Sequence, residues 1–322
     1  MHSCIGGSCK ACSLDGYESR GNFCYVPKPK LLIILGPTGS GKTDLAVQLA
    51  KQFNGEVISA DSRQVYKEIS IGTNKVTKAE MQRVPHYCID VASVRRPFGA
   101  AQWKHCAEKA LKNILKHDKL PIIAGGTGYY IDILTGRISL PNVKPNPALR
   151  KELEKLSCKE LFARLTKQDP ERAATIERGH KRRLIRALEI VDSLGKVPQH
   201  KPESPYDVLY IGLTVDESQL AERIEKRMHY WFRRGFRREV QNLLDIKLGK
   251  DRLQELGFEY TTVARYLRKE ITKEAMEETL VRELMKYVKR QNKWFRRNKA
   301  VVWFDANGSE KIADRVSVFL KK

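Results

Sequence analysis

Acidic side chains are in short supply. The 322-residue chain sets 38 Asp and Glu against 60 Lys and Arg, a formal net charge of +22 at pH 7. That excess goes beyond what solubility needs and points to a polyanionic partner, with nucleic acid the first expectation. Long hydrophobic runs are missing too. No stretch approaches the roughly 18 to 20 apolar residues of a membrane helix, so no membrane partner is expected. Cysteine is too irregular for a disulfide framework: there are seven, with Cys88, Cys106 and Cys158 scattered and Cys4, Cys9, Cys12 and Cys24 crowded together. The opening residues lack the apolar core and cleavage site of a signal peptide, which makes the cytoplasm the expected location. What remains is a globular composition, 41% hydrophobic and 30% charged, at a length that suits one large or two modest domains.

Residues 1–28 are rich in Gly, Ser and Cys, show no helical or strand period, and run into Pro27 and Pro29. They read as a Cys-rich disordered tail. Its four cysteines include one CxxC pair and are enough for a zinc site, but the irregular spacing favours the tail. Order begins with Leu31 to Leu35, a continuous apolar run of the buried parallel-strand type, then a glycine-rich turn and a helical pattern from Thr43 to Phe53. Further strands are expected at Glu56 to Ala60, Tyr87 to Val91, Pro121 to Ala124, Val208 to Val215 and Ala300 to Phe304. Strands alternating with helices predict an α/β fold with a doubly wound parallel sheet. Residues 137–202 break the pattern, with a Pro-rich entry and charged helical segments near 148–168 and 181–194. They read as a helical insertion in an α/β core made of 29–136 and 203–322.

Gly36, Pro37, Thr38, Gly39, Ser40, Gly41, Lys42 and Thr43 fit GxxxxGK[ST] directly after an apolar strand and at a helix start, which is where a P-loop belongs. Such a turn aims backbone amides and the positive end of a helix at phosphate oxygens. Lys42 adds a point charge for the distal phosphate, and the Thr43 hydroxyl is placed to ligate Mg²⁺. Phosphoryl transfer would also call for an acid at the end of a second hydrophobic strand. The strand at 121–124 instead runs into Gly125, Gly126 and Thr127. The first carboxylate at a strand end is Asp61, which should face the same crevice as the P-loop and suits a base that activates an acceptor.

Taken together, these residues resemble the tRNA dimethylallyltransferases, the isopentenyltransferase family within the P-loop fold, over roughly residues 30–306. The family patterns GPT[AG]SGKT, DS[RA]QxY and GGTGLY appear at Gly36 to Thr43, Asp61 to Tyr66 and Gly125 to Tyr130, with Tyr129 in place of Leu. Asp169-Pro170, Lys181 to Glu189, Arg223 to Val240 and Lys289 to Arg296 match later elements. The chain departs from the pattern at 92–99, at Gly257 to Tyr260 and at Lys293, where Thr is usual. The resemblance implies transfer of a dimethylallyl group from dimethylallyl diphosphate to the exocyclic amine of adenosine 37 in the tRNA anticodon stem-loop, by a monomeric, Mg²⁺-dependent enzyme. On that reading Asp61 is the base. Diphosphate departure is eased by the P-loop with Lys42, by Thr127, and by Arg223 and Arg227, which lie four apart on one helical face.

A base in a folded tRNA must leave its stack to reach such a site. Residues 221–240 carry seven Lys or Arg against three Glu, and 281–300 carry eight against Glu283 alone. In the second segment Leu284, Val288, Gln291 and Phe295 share one helical face, leaving Lys286, Lys289, Arg290, Lys293 and Arg297 outward as a phosphate-tracking strip. Ser62, Arg63, Gln64 and Val65 beside the base, Arg183 in the insertion, and Lys289, Arg290 and Gln291 are the expected tRNA contacts. Three competing readings stand beside this one: an adenylate isopentenyltransferase acting on free AMP, ADP or ATP, a small-molecule P-loop kinase, and a tRNA-binding protein with a vestigial site.

Overall fold

Leu31, Leu32, Ile33 and Ile34 are all 0% exposed in β1 (Lys30–Leu35), and each such burial is worth about 1.5–3 kcal/mol relative to exposure. Alternation splits the run between two faces. Leu31, Ile33 and Leu35 enter one hydrophobic cluster, and Leu32 and Ile34 enter the other. A strand this apolar needs helices on both sides, and the computed structural model, which describes residues 27–306 and 308–322, shows them. The cysteine-rich stretch with Cys4, Cys9, Cys12 and Cys24 lies outside the described residues.

After β1 come α1 (Lys42–Gln52), β2 (Gly55–Ser59), α2 (Lys78–Met81), β3 (His86–Tyr87), α3 (Ala100–Lys116), β4 (Leu120–Gly125) and α4 (Gly128–Leu134). Four helices follow: α5 (Pro147–Leu153), α6 (Cys158–Gln168), α7 (Pro170–Thr175) and α8 (Lys181–Leu194). The chain re-enters the sheet as β5 (Asp207–Thr214). It then builds α9 (Glu217–Arg233), α10 (Phe236–Asp245), α11 (Lys250–Leu256), α12 (Phe258–Leu267) and α13 (Lys273–Phe295) before β6 (Val301–Asp305) and α14 (Ser309–Lys321).

The six strands run in the order β3-β2-β4-β1-β5-β6, and every pairing is parallel. This is a P-loop-like doubly wound α/β fold. α1 and α14 cover one face through Leu45, Leu49, Ile312 and Val316. α3, α4 and the α9–α13 block cover the other, where Trp103, Met228, Phe236, Tyr260 and Val288 join Leu31 and Ile33. β2, β4 and β1 are neighbours, so the loops leaving their carboxyl ends open onto one crevice.

Helices α5–α8 bury a cluster of their own, centred on Leu153, Leu161, Leu165, Leu184 and Leu188. Their starts are written locally. Asn146 caps α5, Ser157 and Glu160 form a capping box on α6, and Asp169 caps α7. One expected strand is shorter than its sequence suggests. The run 87–91 leaves the sheet after Tyr87 because Cys88 and Asp90 adopt left-handed φ values of 60° and 56°, which no strand accommodates.

Candidate active site

The P-loop is closed by its own residues and by α9. Gly41 occupies the N-cap of α1 at φ 81°, a conformation that favours glycine. Lys42 Nζ donates to the Pro37 carbonyl at 2.6 Å and lies 3.5 Å from Ser40 Oγ, which is fully buried. Ser40 N donates to Pro37 O at 3.2 Å, while Gly36 is packed against Leu213. From α9, Arg223 donates to the Gly39 carbonyl at 3.1 Å and Arg227 donates to the Thr38 hydroxyl. The four-residue spacing thus sets two guanidinium groups on the glycine turn. Burial, together with the Arg227 charge, lowers the Lys42 pKa to about 7, against the opposing pull of Asp61. Three cationic groups around one turn make a site prepared for an anion.

Asp61 follows β2 and begins a tight turn, its Oδ1 accepting from Arg63 N at 2.8 Å and Gln64 N at 3.2 Å. The turn is held from outside. Thr127 Oγ1, in the second glycine turn, accepts from Ser62 N at 3.1 Å, and Thr127 N donates to Ala60 O at 3.0 Å. Gly125 is required there because a Cβ would strike the Ala60 carbonyl. The Arg63 guanidinium donates to Glu259 Oε2 at 2.6 Å and lies over the Tyr287 ring at 5.8 Å. Burial works against both charges; Glu259, Tyr287 and Asp61 outweigh it at Arg63 and raise its pKa. At Glu259 burial pushes the carboxyl up against the pull of Arg63, 2.6 Å away.

These two halves line one cleft. Its wall includes Thr38, Lys42 and Thr43 from the P-loop side, Asp61 and Gln64 from the β2 turn, Gly125 and Gly126 after β4, and Tyr287 and Gln291 from α13. Ala46, Val57, Val76 and Ile89 give it an apolar side. Burial, then Asp61, pushes Tyr287 up to about 12, so its hydroxyl stays protonated. His86 also lines the cleft; its Nδ1 sits 2.9 Å from the Val84 carbonyl and therefore carries the proton, leaving Nε2 as an acceptor. Among the described residues no group of three or more His, Cys, Asp or Glu could hold a metal ion unaided. A magnesium ion that draws most of its ligands from a diphosphate and water needs only one or two protein oxygens, and the Thr43 hydroxyl at the cleft wall fits that mode.

Several expected tRNA contacts have a different setting from the one their sequence position suggests. Val65 is 0% exposed and belongs to the core cluster that α3, α4 and α9–α13 form on one face of the sheet. Gln291 is also buried. Its Oε1 accepts from Thr38 N at 2.9 Å and its Nε2 donates to Gly126 O at 3.0 Å, so it ties the two glycine turns together. Gln64 is bound at both ends, accepting from the Ser59 hydroxyl at 3.2 Å and donating to Asn74 O at 3.1 Å. Exposed cations are found where expected: Arg183 pairs with Glu177 at 2.9 Å, Lys289 pairs with Glu217 at 3.1 Å, and Arg290 lies over Tyr287 at 5.8 Å. Trp294 donates to Asp132 Oδ2 at 2.8 Å. Glu259 and Tyr287 escaped the sequence reading. Tyr287 was in reach of it, since it stands four residues before Gln291 on the same helix; Glu259 was not, since nothing local marks a buried partner for Arg63.

The IPP transferase family profile matches residues 64–298. The tRNA dimethylallyltransferase of Bacillus cytotoxicus is 36% identical over 297 residues, covering 89% of this chain and 93% of its own length. That of Limosilactobacillus reuteri is 37% identical over 285 residues, covering 86% and 92%. Among solved structures, the full-length tRNA isopentenylpyrophosphate transferase of Bacillus halodurans superposes with a TM-score of 0.70 at 35% identity, covering 91% of this chain and 97% of that one. A eukaryotic dimethylallyltransferase acting on tRNA gives a TM-score of 0.79 at 27% identity, covering 91% and 80%.

Proposed function

From the premise that this chain belongs to the IPP transferase family, we propose that it moves a dimethylallyl group from dimethylallyl diphosphate to the exocyclic N6 of adenosine 37 in the tRNA anticodon stem-loop. The observation that carries this reading is the shared cleft: one carboxylate, Asp61, faces a P-loop across a space with an apolar side. The P-loop amides, Lys42, Arg223 and Arg227 hold the diphosphate. Ala46, Val57, Val76 and Ile89 suit the five-carbon chain. Thr43 would hold a Mg²⁺ beside the diphosphate, and the ion would supply charge neutralisation for the leaving group.

An adenine amine is a weak nucleophile because its lone pair is delocalised into the ring. Its N6 forms a bond to the allylic carbon as the carbon–oxygen bond to diphosphate breaks, and Asp61 takes the N6 proton. The cationic ring around Thr38 and Gly39 is already in place for the charge that grows on the leaving oxygen, so little reorganisation is needed. Lys42, with a pKa near 7, gains its proton fully as the anion arrives.

The outward cations of α9 and α13 and the basic insertion favour tRNA over free AMP as the acceptor, since a mononucleotide has no backbone for them to track. A monomer acting in the cytoplasm fits this reading, with helices α5–α8 approaching the anticodon stem. Incubating the protein with labelled dimethylallyl diphosphate, Mg²⁺ and either unmodified tRNA or AMP tests it: label should appear in tRNA. Label in AMP alone would move the protein to the cytokinin-forming reaction, and ATP consumption without prenyl transfer would move it to the kinases.

A further inference from the structure

Two of the described cysteines face one another away from the diphosphate site. Cys88 follows β3, and its thiol donates to Cys106 Sγ on α3 at 2.9 Å. A disulfide bond needs about 2.05 Å, so closure asks for a movement of under about 1 Å. The two thiols are not equivalent. Cys88 is 2% exposed, whereas Cys106 is only half-buried and can meet a solute. We propose that Cys88 and Cys106 form an oxidisable dithiol, a modification site at which a small-molecule disulfide of the glutathione class closes a covalent bridge between the β3 turn and α3.

The environment assigns the order of events. Hydrogen bonding from the Cys88 thiol, with help from the Cys88 backbone and the Lys109 charge, lowers the Cys106 pKa to about 7 against the effect of burial. The same hydrogen bond, together with burial, raises that of Cys88. Cys106 is therefore the thiolate that attacks, and Cys88 is the resolving thiol. In the first step the Cys106 sulfur bonds to one sulfur of oxidised glutathione and a glutathione thiolate departs. In the second, Cys88 gives its proton to that thiolate, and its sulfur displaces the remaining glutathione from Cys106. Two protein thiols are oxidised to one disulfide, and one glutathione disulfide is reduced to two thiols.

The bridge reaches the reaction cleft from both ends. Cys88, at φ 60°, stands between His86 and Ile89, and both line the cleft. On the other side, α3 carries Trp103, whose indole donates to the Ser59 carbonyl at 2.9 Å, two residues before Asp61. A covalent link between these supports holds the wall beside Asp61 in one position.

The test uses the full chain. The protein is exposed to oxidised glutathione, its remaining thiols are alkylated after denaturation, and peptides are read individually by mass spectrometry so that Cys4, Cys9, Cys12 and Cys24 are scored apart. The expected result is a cross-linked pair of peptides holding Cys88 and Cys106, both lost from the alkylated pool and both recovered after dithiothreitol. Alkylation of both residues overturns the proposal. So does a lasting mixed disulfide on Cys106 beside an alkylated Cys88. In the companion assay, prenyl transfer by the oxidised protein falls and returns with dithiothreitol, while Cys106→Ser keeps the untreated rate throughout. A bridge seen by mass spectrometry with unchanged turnover overturns the link to the cleft.

Discussion

The P-loop and the Asp61 turn line one cleft and are built on different plans. The P-loop takes its shape locally, with Lys42 returning to Pro37 five residues back and glycines at fixed offsets, and the distant Arg223, Arg227 and Gln291 then dock on that shape. The Asp61 turn is held from afar. Thr127, 65 residues on, supports Ser62, and Glu259, 196 residues on, pairs with Arg63. From α13, Gln291 ties the P-loop at Thr38 to the second glycine turn at Gly126, the turn whose Thr127 supports Ser62. A phosphate cradle tolerates a local design because it recognises with backbone amides. A base that must meet one nitrogen of a large substrate needs its turn fixed by tertiary partners, since small displacements of a reacting group are costly.

That contrast can be broken from the Asp61 side first. Glu259→Gln leaves the Arg63 guanidinium buried without its carboxylate, and the expected loss is about 3–5 kcal/mol of stability, read by urea denaturation. Arg227→Ala removes a preorganised donor from the leaving-group side, and turnover should fall about 10²–10³-fold with tRNA affinity kept. Asp61→Ala should lower single-turnover prenyl transfer about 10²-fold, again with tRNA binding intact; an unchanged rate would falsify its role as base.

Smaller effects sharpen the picture. Replacing Lys289 and Arg290 by Gln should flatten the log–log salt dependence of tRNA affinity by about 1.5, at about 0.7–0.9 per phosphate contact. An unaltered slope would place the tRNA backbone elsewhere. The smallest concerns protons. Because the folded-state pKa of Lys42 is lowered from 10.5 to about 7, the unfolded chain binds more protons between those values, and Lys42 makes stability rise with pH across that window. Binding diphosphate should reverse the shift, so calorimetry at pH 8 in buffers of different ionisation enthalpy should show proton uptake by the wild type and none by Lys42→Met.

The two helical regions show where reading from sequence stops. Residues 137–202 read as a helical insertion because a Pro-rich entry leads into charged helical segments with no strand between them, and α5–α8 there bury a cluster of their own. The block from α9 to α13 was not legible as a layer on the sheet. Its helices are equally amphipathic, and what they cover depends on where β5 and β6 lie.

By itself the sequence determined the apolar strands, the glycine cradle, the helix starts and the i, i+4 placement of Arg223 and Arg227, because each rests on interactions within a few residues. Only the tertiary structure decided that Val65 lies in the core, that Gln291 clasps two turns, that Glu259 neutralises Arg63, and that Cys88 meets Cys106. Those four outcomes depend on how parallel strands are ordered and how helices stack over them, and contacts so distant along the chain leave no periodic trace in it.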